Sequence, residues 1–462
     1  MTTTDPLRID VSAAMAPFAD QLVTQRVTLE RDLLGRVEPF VADLLPEGHW
    51  LVVADATTWE VAGAQVEAGL REAGRATSRY LIEPGDGEEV PVADDAKVEL
   101  LRAALVASRA EEAPVAALIA VGAGTVNDIA KMAAFKADLP YAVVGTAPSM
   151  NGYTSSIAAL LSDGVKTTQP CRAPVACLAD LDVMAESPYR MIASGLGDLI
   201  SKPVSNADWR LSFRLLDAHY ADNVMVLVDE AARLLEGVAP GLAARDPEAV
   251  GRLTASLCLS GLAMSVAGTS APASGGEHLI SHYIDMTHFA FGEPHDFHGC
   301  QVGVGTITTA ALYEKLAALD PSTIDVDALV RGWTPWDEHR QRLEAHFGKL
   351  ASAVLPHAEA AYPSPEQLRD RLTRLVTHWD DIIADVRTTL RTAADIRGEL
   401  LQARCPVTFE QIHVAPARAR DAIRRSKDIR ARYTILHLAA ELGHLDAWAD
   451  EVLAELHGVT AA

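Results

Sequence analysis

The chain has 462 residues, 49% hydrophobic and 22% charged, an ordinary globular composition with enough apolar material for a sizeable core and enough length for two domains. Lys and Arg number 40 against 63 Asp and Glu, a formal charge of -23. That balance repels nucleic-acid phosphates and anionic lipid heads, which argues against both partners, while one local basic pocket remains enough to hold a small anion. The five cysteines are scattered without a Cys-x-x-Cys pair, the N-terminus lacks a basic start followed by an apolar stretch, and no uninterrupted apolar run approaches the ~18 residues of a membrane span. The expectation is a reducing, cytoplasmic setting with no disulfide framework and no membrane insertion.

Up to about Glu186, short runs rich in Val, Ile and Leu alternate with helical patterns: Trp50 to Ala54, Arg79 to Ile82, Ala116 to Val121, Tyr141 to Val144 and Val175 to Leu178. Such runs predict buried parallel strands joined by helices. Ser187-Pro188 has the form of an N-cap followed by proline at the first helical position, and from there to Ala462 nearly everything carries helical period. The expected fold is an α/β N-terminal domain with a Rossmann-like parallel sheet, residues 1–186, followed by an all-α C-terminal domain, residues 187–462. Residues 318–380, with a WTPW turn and several prolines, read as an elaborated helical insertion.

The run Ala116 to Val121 leads straight into Gly122-Ala123-Gly124-Thr125-Val126-Asn127-Asp128 and then a helical pattern. Strand, glycine turn and helix make a phosphate cradle, because glycines let the backbone approach a pyrophosphate and the helix start supplies N–H groups and positive potential. Gly-x-Gly turns also serve as plain tight connections. A second junction follows Tyr141 to Val144: Gly145-Thr146-Ala147-Pro148-Ser149-Met150-Asn151-Gly152-Tyr153-Thr154-Ser155 is dense in small hydroxyl and amide groups suited to cofactor and substrate oxygens.

Five of the fifteen histidines, at 278, 282, 288, 295 and 298, fall in one short stretch. His278 and His282 are four apart, so on a helix both imidazoles project from one face. A lone histidine is more often a packed core residue, but a cluster points to a metal or catalytic centre. Asp198, an acid between apolar residues in GLGDLISK, supplies a carboxylate where an unpaired charge is costly; its plainer reading is a helix N-cap.

Six motifs, VGAGTVNDIAK, GTAPSMNGYTSS, GLGDLISKPVSNADWRLS, SGGEHLISH, HGCQVGVG and RARYTILHLAAELG, occur in this order between residues 121 and 443. With them the chain resembles the bacterial sn-glycerol-1-phosphate dehydrogenase family, within the iron-containing alcohol dehydrogenase and dehydroquinate synthase-like superfamily. The resemblance implies a dehydroquinate synthase-like fold and a metal-dependent, NAD(H)-linked interconversion of dihydroxyacetone phosphate and sn-glycerol 1-phosphate. By it, Gly124, Thr125, Val126, Asn127 and Asp128 line the pyrophosphate, while Thr146, Ala147, Pro148, Ser149 and Ser155 contact the nicotinamide half. Asp55 holds the adenine ribose hydroxyls, which favours NAD over NADP. Asp198, His278 and His298 match the metal ligands, for zinc or nickel with iron also acceptable, and leave an open coordination position. Asn151, Asp198 and His282 match substrate contacts, with Asp198 and His282 catalytic.

A phosphorylated substrate needs a cationic seat, and Lys202, Lys166 in DGVKTT and the run Arg418 to Arg432 are candidates, although such a run is more often a solvated helix face. A homo-oligomer, dimer or larger, is expected. The chain departs from the family at Asn151, where members commonly carry aspartate. Another polyol or polyol-phosphate dehydrogenase would share everything but the phosphate seat. A dehydroquinate synthase-like cyclase generally has glutamate at the Asp198 position, and a non-catalytic homologue would be free to lose the ligand set.

Overall fold

Side chains on a strand alternate between faces, and β3 (His49–Asp55) shows what that does here. Leu51 and Val53 enter one apolar cluster, and Trp50, Val52 and Ala54 enter another on the opposite face. The strands are buried on both sides, which is why they read as continuous apolar runs. The computed structural model describes residues 8–162 and 165–458, so Asp163 and Gly164 of the DGVKTT stretch lie outside the described residues.

The strands are β1 (Arg8–Ile9), β2 (Arg26–Glu30), β3, β4 (Ala76–Ile82), β5 (Val115–Gly122), β6 (Tyr141–Gly145), β7 (Ile157–Ser162), β8 (Val165–Pro170) and β9 (Ala176–Asp180). Seven form one sheet in the order β1-β2-β9-β6-β5-β3-β4, parallel throughout except for the edge strand β1; β7 and β8 make a separate antiparallel hairpin. Helices Asp95–Ser108 and Gly124–Lys136 cover one face, and Ala64–Glu72 covers the other. All five expected strands are present, whereas β1, β2 and the hairpin are additions to the sequence reading.

Two compact units divide the chain differently from a single boundary after residue 186. The first comprises residues up to 199 together with 223–269, and the second comprises 200–222 and everything from 270 onward. The helices Tyr189–Leu199, Met225–Leu235 and Pro247–Ala267, expected with the helical part, therefore belong with the sheet. The physical cause is apolar. Pro247–Ala267 is buried along most of its length and packs on β1, β2 and the helix Leu181–Glu186. By length and composition it could cross a membrane, yet its surface is spent on this core.

The second unit is helical among its described residues. Its centre is the nearly fully buried helix His298–Ala317 packed against Gly276–Phe291. The buried hydroxyls of Thr306, Thr308 and Thr309 donate to carbonyls four residues back, so they add no unpaired polar atom. Residues 318–380 form helices as expected, including Trp336–Phe347, Ala351–Ala361 and Pro365–Thr377; the WTPW segment leads into the first of these, with Trp333 stacked on Tyr362 and Trp336 tilted against it.

Candidate nucleotide and metal site

Asp55, Gly122 and Gly145 close the parallel neighbours β3, β5 and β6 at their carboxyl ends, the edge where open α/β sheets bind ligands. The helix Gly124–Lys136 starts directly after β5, with Ala123 as an N-cap that offers no side-chain hydrogen bond, so the first-turn N–H groups have no cap competing for them. Ala123, Gly124 and Thr125 are partly exposed. Val126, Asn127 and Asp128 are buried. Asn127 Nδ2 donates to Asp128 Oδ1 at 3.1 Å, and Asp128 Oδ2 accepts from Ala159 N at 3.0 Å. Burial pushes the Asp128 carboxyl above the usual range, and nearby Lys131 opposes this. Asp55 caps the helix Ala56–Thr58: its Oδ1 accepts from Thr58 N at 2.7 Å, and its own N–H donates to Thr58 Oγ1 at 3.0 Å.

The second loop is fastened from outside by Lys131 and Ser194 and tied across itself by Tyr153. Fully buried Lys131 donates from Nζ to Gly152 O at 2.6 Å and Ile157 O at 3.0 Å. Tyr153 OH donates to Ala147 O at 2.8 Å, and Ser194 Oγ donates to Ser149 O at 2.8 Å. Gly195 lets the helix Tyr189–Leu199 reach this loop, since a Cβ there would overlap the Pro148 carbonyl oxygen. Thr146, Ala147, Pro148 and Ser149 are thus held along one buried stretch. Ser155 is fully buried, its hydroxyl donating to Gly152 O and Ile157 O. Asp198, 1% exposed, accepts from Asn151 twice: backbone N to Oδ2 at 2.9 Å and Nδ2 to Oδ1 at 3.0 Å.

In the second unit the rings of His278, His282 and His298 gather, with centroids 5.3 Å apart for 278–298, 5.4 Å for 282–298 and 6.3 Å for 278–282. Helical spacing on Gly276–Phe291 places the first two, and His298 opens the next long helix. Glu277, fully buried, takes His278 Nδ1 at 2.7 Å on Oε1, which also accepts Gly275 N at 2.7 Å. A carboxylate only accepts, so the ring proton sits on Nδ1 and Nε2 is the nitrogen His278 offers a metal. His298 Nδ1 meets Ser281 Oγ at 2.9 Å, with Asp285 Oδ2 at 3.8 Å. His282, Asp285 and His298 also bring ligand atoms within 4.8 Å of one another. Asp285 is engaged by Gln301 Nε2 at 2.7 Å and lies on the Nδ1 side of His298, so it suits orienting that ring.

Behind Glu277 lies Asp208, which accepts from Tyr313 OH, Gly276 N and Ile435 N. Burial, with the Glu277 charge adding to it, raises its carboxyl to about 7. Gly305 permits this packing, because a Cβ there would lie 2.7 Å from Glu277 O. Glu277, Ser281, Asp208 and Lys131 are not among the residues expected from the sequence. An acid directly before a histidine within an apolar pattern was the available signal for Glu277.

The basic candidates are largely occupied. Lys202 is buried with Nζ 3.1 Å from Ala273 O, and Lys166 lies on β8 rather than in a loop. Arg418 is no solvated helix face: it is buried and donates to Ile284 O and Thr287 Oγ1, tying its helix to Gly276–Phe291. Arg432 donates to Ser270 Oγ and Ser274 O, while Arg420 and Arg424 pair with Asp450.

The covered, largely parallel sheet and the helical unit are a fold shared with solved glycerol dehydrogenases and iron-containing alcohol dehydrogenases. The family model described as iron-containing alcohol dehydrogenase matches residues 28–188. Among solved structures, glycerol dehydrogenase from Schizosaccharomyces pombe superposes with a TM-score of 0.58 at 16% identity, covering 95% of this chain and 92% of that one. A probable glycerol dehydrogenase from Sinorhizobium meliloti gives 0.59 at 13% identity, covering 93% and 98%. In sequence, the chain is 30% identical over 396 residues to glycerol-1-phosphate dehydrogenase [NAD(P)+] of Halalkalibacterium halodurans, covering 85% of this chain and 86% of that relative. The Methanosarcina mazei enzyme of the same name is 34% identical over 288 residues, 62% and 76% of the two chains. The chain belongs to the glycerol-1-phosphate dehydrogenase family.

Proposed function

We propose that this dehydrogenase interconverts dihydroxyacetone phosphate and sn-glycerol 1-phosphate with NAD(H), using one divalent metal bound by Asp198, His278 and His298. The observation that carries the reading is the pair of rings at 278 and 298, of which His278 is held at Nδ1 by the Glu277 carboxylate so that Nε2 is the nitrogen offered to a metal, while His298 meets Ser281 at Nδ1. Two imidazoles and a carboxylate suit zinc, nickel or ferrous iron, and zinc or nickel is the proposal. When bound, the metal supplies Lewis-acid polarisation of the substrate carbonyl and the nicotinamide supplies hydride.

The chain's own residues do the positioning. The N–H groups at Gly124 and Thr125 bind the pyrophosphate, while Val126, Asn127 and Asp128 support the turn from behind. Thr146 to Ser149 face the nicotinamide half, and Ser155 braces them through the loop. Asp55 accepts the adenine ribose hydroxyls and disfavours a 2′-phosphate. His282, on the face of His278, hydrogen-bonds the substrate and carries its proton, and Asn151 lies beside the same substrate. A cytoplasmic homo-oligomer is part of this proposal.

The test is NADH oxidation by dihydroxyacetone phosphate in metal-defined buffer, followed by chiral analysis of the glycerol phosphate formed. Metal-dependent turnover giving the sn-1 product supports the reading. Turnover on unphosphorylated dihydroxyacetone alone assigns the chain to a different polyol.

A further inference from the structure

Asn151 uses two donors on one carboxylate. Its backbone N–H reaches Asp198 Oδ2 and its side-chain Nδ2 reaches Oδ1, at 2.9 and 3.0 Å. Two donors from one residue to the two oxygens of one carboxylate fix its plane as well as its position, as a bidentate pair does. Because Asp198 only accepts, the amide must present its nitrogen, so this orientation follows from chemistry. Both partners are themselves held. Asp198 is buried near the end of the helix Tyr189–Leu199, and the loop carrying Asn151 is fastened to that helix through Ser194 to Ser149 and the close approach at Gly195.

We propose that Asn151 is a positioning residue: a neutral clamp that sets the Asp198 carboxylate for the metal before any metal arrives. This rests on the metal-centre reading above. The clamp consumes one of the two amide protons of Asn151, so contact with substrate is secondary. A carboxylate at 151 would keep the shape and the backbone donor but replace the Nδ2 donor with a second negative oxygen at the same 3.0 Å from Asp198. The apo protein would then hold two repelling charges that a divalent cation relieves.

The experiment uses the full-length apo protein titrated with Co²⁺, reading the d–d absorption of the bound ion, with thermal melting in parallel and NADH affinity as the control. Asn151→Ala should weaken Co²⁺ binding by about 10- to 100-fold, the usual cost of losing a partner that orients a ligand. It should also alter the d–d band and leave NADH affinity unchanged. Asn151→Asp should melt below Asn151→Ala without metal, yet gain a larger rise in melting temperature on adding Co²⁺ than the wild type. If both variants take up Co²⁺ with wild-type affinity and spectrum, and Asn151→Ala raises only the KM for substrate, the clamp is overturned and Asn151 is a substrate contact. If the wild type takes up no Co²⁺, the metal-centre reading falls and the clamp falls with it.

Discussion

In the glycine turn after β5, only Gly124 and Thr125 of residues 124–128 reach the surface, and the side chains of Val126, Asn127 and Asp128 are spent inside. In the histidine cluster the proposed ligands are side-chain nitrogens, and the rings of His278 and His298 each meet an oxygen at Nδ1. A backbone site tolerates many side chains but no intrusion on its approach, whereas a side-chain site tolerates no change of ligand or of the group that aims it. Substitutions therefore sort by region.

The largest break belongs to the second region. His278→Ala removes a proposed ligand, and metal content and turnover should fall together, with kcat/KM down by about a thousandfold or more if several kcal/mol of charge stabilisation are lost. Elemental analysis of the purified variant decides it. One metal equivalent with full turnover would falsify the ligand assignment.

Acid should separate the regions too. Burial depresses His437 to about 3 and His457 to about 4, and both lie in the second unit. Unfolded, these rings bind a proton below about 6.5, while in the folded state they stay neutral until pH 3 to 4. In that window the unfolded chain binds more protons, so stability falls as pH drops, by about 1.4 kcal/mol per pH unit for each ring. Hydrogen exchange at pH 5 should show the helix Leu445–His457 opening earlier than β3 and β5. His457→Gln, which keeps an amide near Thr308 Oγ1, should flatten the pH dependence; an unchanged slope would remove His457 as its cause.

In the first region the sensitive position is a glycine. Gly195→Ala forces a methyl onto the Pro148 carbonyl oxygen and should cost about 1 to 3 kcal/mol of stability while weakening NADH binding. Wild-type melting and NADH affinity together would show that the loop gives way freely.

Much of this was legible beforehand, for physical reasons that differ between the regions. The strands β3, β5, β6 and β9 were visible because burial on both faces writes an unbroken apolar run, and β4 is half-legible because its outer face is partly exposed. β2, Arg-Val-Thr-Leu-Glu, is too short and mixed to stand out, although it lies between β1 and β9 in the sheet. Helical period runs through nearly everything after Ser187 but carries no address, so the packing of Pro247–Ala267 on β1 and β2 was hidden. Histidine spacing pointed to the cluster of rings at 278, 282 and 298, which the fold gathers. Asp208 lies far from Glu277 in sequence and comes beside it only in the fold.

The smallest effect tests whether a side chain in the first region does more than scaffold. Asp55 already has a structural task, capping Ala56–Thr58 through Oδ1, and an asparagine oxygen can accept from Thr58 N equally well. Asp55→Asn therefore removes charge and keeps the cap, whereas Asp55→Ala removes both. If Asp55 selects the cofactor, the ratio of kcat/KM for NADPH over NADH should rise on the order of tenfold in both variants, about 1.4 kcal/mol. Only the alanine variant should also lose about 1 kcal/mol of stability, read as a lower Tm. A ratio that moves in alanine but not in asparagine would trace selectivity to the loop that the cap holds. A ratio that moves in neither would leave Asp55 as a helix cap alone.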